Sequence, residues 1–175
     1  PVPAWQRPGD PRGDITLRHL LHMSSGLDHT EVAGEDGKTV FEADTNRMLF
    51  MDGGQDTAAY AEARPMEAKP GEKFEYSSAT SIILSDIITR TLTESTDPLV
   101  RRDVTLRFIR GRLLEPLGMD GTYPEFDPNG TFLGGSFLHA TARDYATFGE
   151  FLRHNGARKG AQHLPVSWVR FMKKS

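Results

Sequence analysis

Cysteine is absent from the 175 residues. That excludes disulfides, thiolate metal sites and thiol catalysis, and it leaves the redox compartment open. No apolar run approaches the roughly 18 residues that a membrane-spanning helix needs. Neither sign of charge dominates: 21 Lys and Arg stand against 24 Asp and Glu, a formal net charge of −3. No broad positive field is therefore available to attract nucleic acid. The densest basic pairs, Arg101-Arg102 and Lys173-Lys174, are short and read as solvated helix faces. Residues Pro1 to Pro11 lack a charged segment followed by an apolar one, so no signal peptide is expected there. Localisation stays open, since a periplasmic or secreted protein and a cytoplasmic one fit equally.

What is present is a soluble globular composition, 37% hydrophobic and 26% charged. The length suffices for one domain with a real core. Residues 1–14 are rich in proline and glycine and are expected to form an extended lead-in, with a domain over 15–175. Thr16 is a suitable N-cap for a helix carrying Leu17, Leu20 and Leu21 on one face, ending near Ser24-Ser25-Gly26 with Gly26 as a left-handed cap. Asp28 to Gly54 reads as irregular, with one short helix over Asn46 to Met51. Asp56 should cap a helix through Ala63, which Pro65 ends.

Lys69-Pro70-Gly71 is a turn, and a helix follows from about Ala79 to Leu92, with Ile82, Ile83, Ile87 and Ile88 forming its apolar face. Asp97-Pro98 opens another, whose expected buried side is Leu99, Leu106, Ile109, Leu113 and Leu114. Asp120 to Gly135 reads as loop, and two further helices are expected, from about Thr141 to His154 and from Pro165. Few segments alternate as strands, so the chain is expected to be mainly α with long loops.

Common catalytic signatures fail on inspection. Gly37-Lys38-Thr39 resembles the end of a phosphate-binding loop, but Val32 occupies the earlier glycine position, so no amide cradle can form. Gly134-Gly135-Ser136 resembles a nucleophile elbow, but Leu138 stands where the closing glycine belongs. The 6 histidines are dispersed, without metal-ligand spacing on one helix face. No metal and no cofactor is therefore expected. His22 lies near Ser24 and Ser25, yet hydroxyls in a helix's last turn usually bond its terminal carbonyls.

The informative feature is a set of phrases in fixed order. They are Ile15-Thr16-Leu17-Arg18-His19-Leu20-Leu21-His22-Met23-Ser24-Ser25-Gly26-Leu27, then Lys69-Pro70-Gly71-Glu72-Lys73-Phe74-Glu75-Tyr76-Ser77-Ser78. Leu113-Leu114-Glu115-Pro116-Leu117-Gly118-Met119 follows, and then Gly134-Gly135 ahead of Ala140-Thr141-Ala142-Arg143-Asp144-Tyr145-Ala146. Together they resemble the class C β-lactamase-like serine hydrolases, a family that includes penicillin-binding-protein-type carboxypeptidases, esterases and hydrolases of short amide oligomers. The resemblance covers about Ile15 to Met172.

The resemblance implies the helical lobe of the β-lactamase/transpeptidase-like α/β fold, with most of the sheet missing from this chain. In that family an SxxK motif supplies the nucleophilic serine and a lysine. A YxN-type motif supplies a tyrosine that exchanges a proton with that serine, and a KTG or HxG strand holds the substrate. The tyrosine motif maps onto Tyr76-Ser77-Ser78, which makes Tyr76 the implied catalytic residue and Ser78 the implied substrate-binding one. A serine hydroxyl needs a neighbouring base, and a phenol titrating near pH 10 serves only beside a cation such as that lysine. Ser78 replaces the usual asparagine, which weakens the case for β-lactamase activity more than for ester or small-amide hydrolysis.

No serine in the chain has a lysine three residues on, and Ser175 has no residue beyond it. His154-Asn155-Gly156 spells HxG but closes a helix, where Gly156 reads as a C-cap. The expectation is thus a fragment of a serine hydrolase of amide or ester bonds, inactive alone, whose loops Asp28–Gly54 and Asp120–Gly135 frame the site. The alternative is a non-catalytic binding or interaction module derived from the same lobe. The implied partner is a small-molecule amide or ester, with self-association through helix faces that the missing sheet would leave uncovered.

Overall fold

Most helices among the described residues begin where a side-chain oxygen takes up an orphan N–H. A computed structural model describes residues 2–34 and 37–173, so Lys174 and Ser175 lie outside the described residues. Helix α1 spans Leu17–Leu21 and is capped by Thr16, which accepts from the His19 N–H while His19 reaches back to the Thr16 N–H. Helix α2 covers Asp44–Phe50. Helix α3, Thr57–Glu62, is capped by Asp56, and α4, Ser78–Leu92, by Ser77. Helix α5, Pro98–Ile109, starts where Asp97 accepts from the Leu99 N–H at 2.8 Å. It runs through a π-helical turn, Arg110–Leu114, into α6, Glu115–Leu117. The wider turn precedes Pro116, which has no N–H to return to the carbonyl four residues back.

Strands are short. β1, Tyr123–Pro124, pairs antiparallel with β2, Leu138–His139, in the register Tyr123 to His139. Helix α7, Ala142–Arg153, follows under a Thr141 cap. The hairpin β3, Ala157–Arg158, with β4, Ala161–Gln162, and the final helix α8, Val166–Met172, complete the chain. The protein is mainly helical, and no helix among the described residues is long and apolar enough to cross a membrane.

Two compact units divide these elements, Pro1–Thr105 with Glu125–Phe137, and Leu106–Pro124 with Leu138–Ser175. The first has a core of Val2, Trp5, Ile15, Leu20, Met48, Ala61, Ile82 and Ile83, with Ile87 packed against it. The lead-in expected to be extended over 1–14 is not extended over residues 2–14: it carries the 3-10 turns Pro3–Trp5 and Pro11–Asp14, and Trp5 is fully buried with its indole N–H on the Glu62 carbonyl at 2.9 Å. The second unit buries Leu114, Leu117, Met119 and Phe151.

Three helix details differ from expectation for tertiary reasons. Helix α1 ends at Leu21, and Met23 rather than Gly26 takes the left-handed position after it, with φ +51. Gly26 is also left-handed, but it is needed elsewhere: a Cβ there would lie 2.3 Å from the Ala68 carbonyl oxygen. Of the α1 leucines only Leu20 is buried. On the first-unit part of α5, Leu99 is 68% exposed, and the buried positions are Arg101 and Thr105. They face polar partners: Thr105 shares a hydrogen bond with Thr89 at 2.9 Å, and Arg101 pairs with Asp86 at 2.7 Å.

Candidate active site

Tyr76 stands on the turn that feeds α4. The chain reaches it alongside the end of α1: the Gly71 N–H donates to Ser24 O and the Glu75 N–H to Met23 O, each at 2.8 Å. Ser24 itself bonds back to the His19 carbonyl through its hydroxyl at 3.3 Å, the local role expected for a hydroxyl closing α1. Tyr76 is 56% exposed, while the next residues, Ser77 and Ser78, are buried. Exposure changes abruptly here because α4 dives into the core with Ala79, Ile82 and Ile83.

Ser77 caps α4 by accepting from the Thr80 N–H at 3.1 Å. Ser78, the first helical residue, is held by a residue far away in the chain. The two oxygens of Glu31 take the Ser78 N–H at 2.8 Å and the Ser78 hydroxyl at 2.6 Å. The second of these is short, as expected for a hydroxyl donating to a carboxylate. Glu31 Oε2 also accepts from the Thr45 hydroxyl at 3.1 Å and lies 3.3 Å from His29 Nε2. Thr45 and His29 Nε2 are 2.9 Å apart. The Thr45 proton is committed to Glu31, so Nε2 is the donor to Thr45, which places a proton on that nitrogen. Burial alone would push the Glu31 carboxyl up, but hydrogen bonds from His29 and Ser78 outweigh it and hold the group down to about 2.

The loop that carries Glu31 is anchored in turn. Asp44, at the start of α2, takes the Thr30 N–H at 2.9 Å, the Tyr60 hydroxyl at 2.8 Å and Arg64 at 2.9 Å. Burial opposes the Asp44 charge, but these donors and the Arg64 and Lys38 cations keep its carboxyl below the usual range. Asp44 in return raises the Tyr60 phenol, already pushed up by burial, to about 12. Gly135 also packs against Ser78, and a Cβ on it would sit 3.0 Å from the Ser78 carbonyl oxygen. One residue from each loop that the sequence marked, Glu31 of Asp28–Gly54 and Gly135 of Asp120–Gly135, thus lies against Ser78.

The structure brings Tyr76 and Ser78 together on one turn, as their adjacency in the chain requires, and it gives Ser78 a neighbourhood the sequence did not suggest. Its hydroxyl is committed to Glu31. Glu31, His29 and Thr45 were missed, because 47 residues separate Glu31 from Ser78 and no spacing rule links them. The HxG phrase closes α7: the Gly156 N–H bonds Phe151 O at 3.0 Å, and Gly156 is left-handed. A surface hollow in the second unit, lined by Glu150, His154, Arg158 and Lys159, uses none of the residues around Tyr76.

Comparison with known proteins covers the same stretch. The protein-family model for β-lactamase matches residues 1–170. Among solved structures, one described as "Putative 6-aminohexanoate-dimer hydrolase from Bacillus anthracis" aligns with a TM-score of 0.68 at 23% identity, over 96% of this chain and 43% of its own. Another, "Crystal structure of putative beta-lactamase from Bacteroides dorei DSM 17855", aligns at 0.62 and 23% identity, over 95% of this chain and 45% of its own. At that identity the likeness is one of fold, and this chain spans less than half the length of either structure. No curated protein matches it.

Proposed function

The chain belongs to the β-lactamase family, and from that membership we propose that it forms part of a serine hydrolase that cleaves amide or ester bonds through an acyl-enzyme. Tyr76 is the proton-transfer residue. Its oxygen, held as the phenolate by a neighbouring lysine cation, accepts the proton of the attacking serine and then gives that proton to the leaving amine or alcohol. The serine and lysine come from outside this stretch, since no serine here has a lysine three residues on. In this reading the chain contributes the helical lobe of the family's α/β fold.

One observation carries the proposal. The only exposed member of the Tyr76-Ser77-Ser78 phrase is the tyrosine, and the two serines behind it are buried and hydrogen-bonded. That is the disposition a relay needs: a phenol accessible to a substrate on a base that cannot shift. Ser78 remains the substrate-side neighbour. With its hydroxyl on Glu31 it shapes that side through the fixed backbone rather than by donating a side-chain hydrogen bond. The amide named in the Bacillus structure's description supports including short amides among the substrates.

The test uses the full-length protein with nitrophenyl esters, short amides and a chromogenic cephalosporin. Tyr76→Phe should lower kcat/KM on the accepted substrate by about 10²–10⁴-fold, the usual contribution of a positioned acid–base group. Full turnover in Tyr76→Phe overturns the proposal. The 175-residue chain alone should form no adduct with a fluorophosphonate, and specific labelling of one of its serines would contradict the assignment of the nucleophile.

A further inference from the structure

We propose that Glu31 is a positioning residue for Tyr76, acting through its two-oxygen grip on the Ser78 backbone N–H and hydroxyl. This rests on the reading that Tyr76 transfers the proton. Helix α4 already has a cap, because Ser77 takes the Thr80 N–H at 3.1 Å. A second, more distant carboxylate is not needed to start the helix. What Glu31 adds is a closed ring: one carboxylate holds both the N–H, at 2.8 Å, and the hydroxyl, at 2.6 Å, of the same residue. That ring fixes the Ser78 side-chain rotamer and its backbone at once, two positions after the phenol.

The grip is rigid at both ends. Glu31 receives Thr45 at 3.1 Å and lies 3.3 Å from His29 Nε2, whose side chain is only 1% exposed. The preceding residue, Thr30, is tied by its N–H to buried Asp44 at 2.9 Å. Behind Ser78, Gly135 approaches so closely that a Cβ would meet the Ser78 carbonyl oxygen at 3.0 Å. Ser78 is therefore tied to Glu31 and packed against the Gly135 backbone, next to the turn that bears Tyr76. A negative charge at the start of a 15-residue helix also interacts favourably with its dipole. The charge persists through the working pH range, because the hydrogen bonds on Glu31 hold its carboxyl near 2 in spite of burial.

Glu31→Gln tests this in the full-length protein. Glutamine keeps the shape and one acceptor oxygen, but it turns an NH₂ toward groups that are themselves donors. The expected result is a fall in kcat of about 10–100-fold, the scale of a misplacement of about 1 Å, with KM changed less than about threefold. The fall should vanish when Tyr76→Phe is already present, since there is then no phenol to position. Ser78→Ala, which removes only the hydroxyl half of the grip, should give a smaller loss in kcat with the same dependence on Tyr76. It serves as the second variant should Glu31→Gln not fold.

Full kcat in Glu31→Gln, or an equal further loss on the Tyr76→Phe background, overturns the positioning role while leaving the proposed function intact. Full kcat in Tyr76→Phe removes both, so the two failures are distinct.

Discussion

At Glu31 two electrostatic effects of opposite sign meet, and the balance predicts how stability depends on pH. Burial raises the carboxyl, but donation from His29 and Ser78 takes it from 4.5 to about 2. A folded-state value below the unfolded one means that the unfolded chain binds the proton more readily between about 2 and 4.5. Stability from Glu31 is therefore complete above that window and is lost as pH falls through it. Glu62 has the opposite sign. Burial, with Asp86 nearby, lifts it from 4.5 to about 7 despite Arg90 at 2.5 Å. The folded protein binds that proton more readily, so stability linked to Glu62 falls as pH rises toward 7. Thermal unfolding followed from pH 2 to 8 should therefore show stability falling toward both ends of the range. Glu31→Gln should flatten the acid limb and Glu62→Gln the alkaline one, and unchanged limbs in both variants would refute the assignment. Of these residues only Tyr76 and Ser78 were legible in the sequence, because their phrase is contiguous. Glu31 carries no local pattern, and its significance comes from a contact across 47 positions.

Helices show the same division between local and distant causes. The caps at Thr16, Asp56, Asp97 and Thr141 act over two or three residues, so the chain's own order specifies them. The buried face is another matter. Helix α4 buries Ile82 and Ile83 as its spacing predicts but leaves Ile88, expected on the same face, exposed, whereas α5 turns Arg101 and Thr105 inward and leaves Leu99 in solvent. Asp86 and Thr89 on α4 supply the polar partners that make this possible. Ile83→Ala should therefore cost about 2–5 kcal/mol in denaturant unfolding, and Leu99→Ala less than about 0.5 kcal/mol. Comparable losses at the two positions would contradict the inward face assigned to α5. The strand pairs were not legible at all, since a strand of 2 residues has no alternation to read.

For the molecule as a whole, the likeness to the two solved structures covers nearly all of this chain and less than half of each of them. Large apolar side chains such as Phe41, Phe50 and Phe74 are 67–75% exposed. We propose that the chain self-associates through helix faces that the family's sheet would cover. Sedimentation at micromolar concentrations should then show association that grows with concentration, and a stable monomer throughout would dispose of the idea. By itself the sequence determined where the capped helices start, and the ordered phrases placed the chain in its family. Both are encoded within short runs of residues, where capping bonds and turn chemistry act. Only the tertiary structure decided which helix faces are buried, that Met23 takes the left-handed position after α1, and that Glu31 grips Ser78. Those outcomes depend on groups far apart in the chain, whose meeting is settled by packing and by the need of each buried donor for an acceptor.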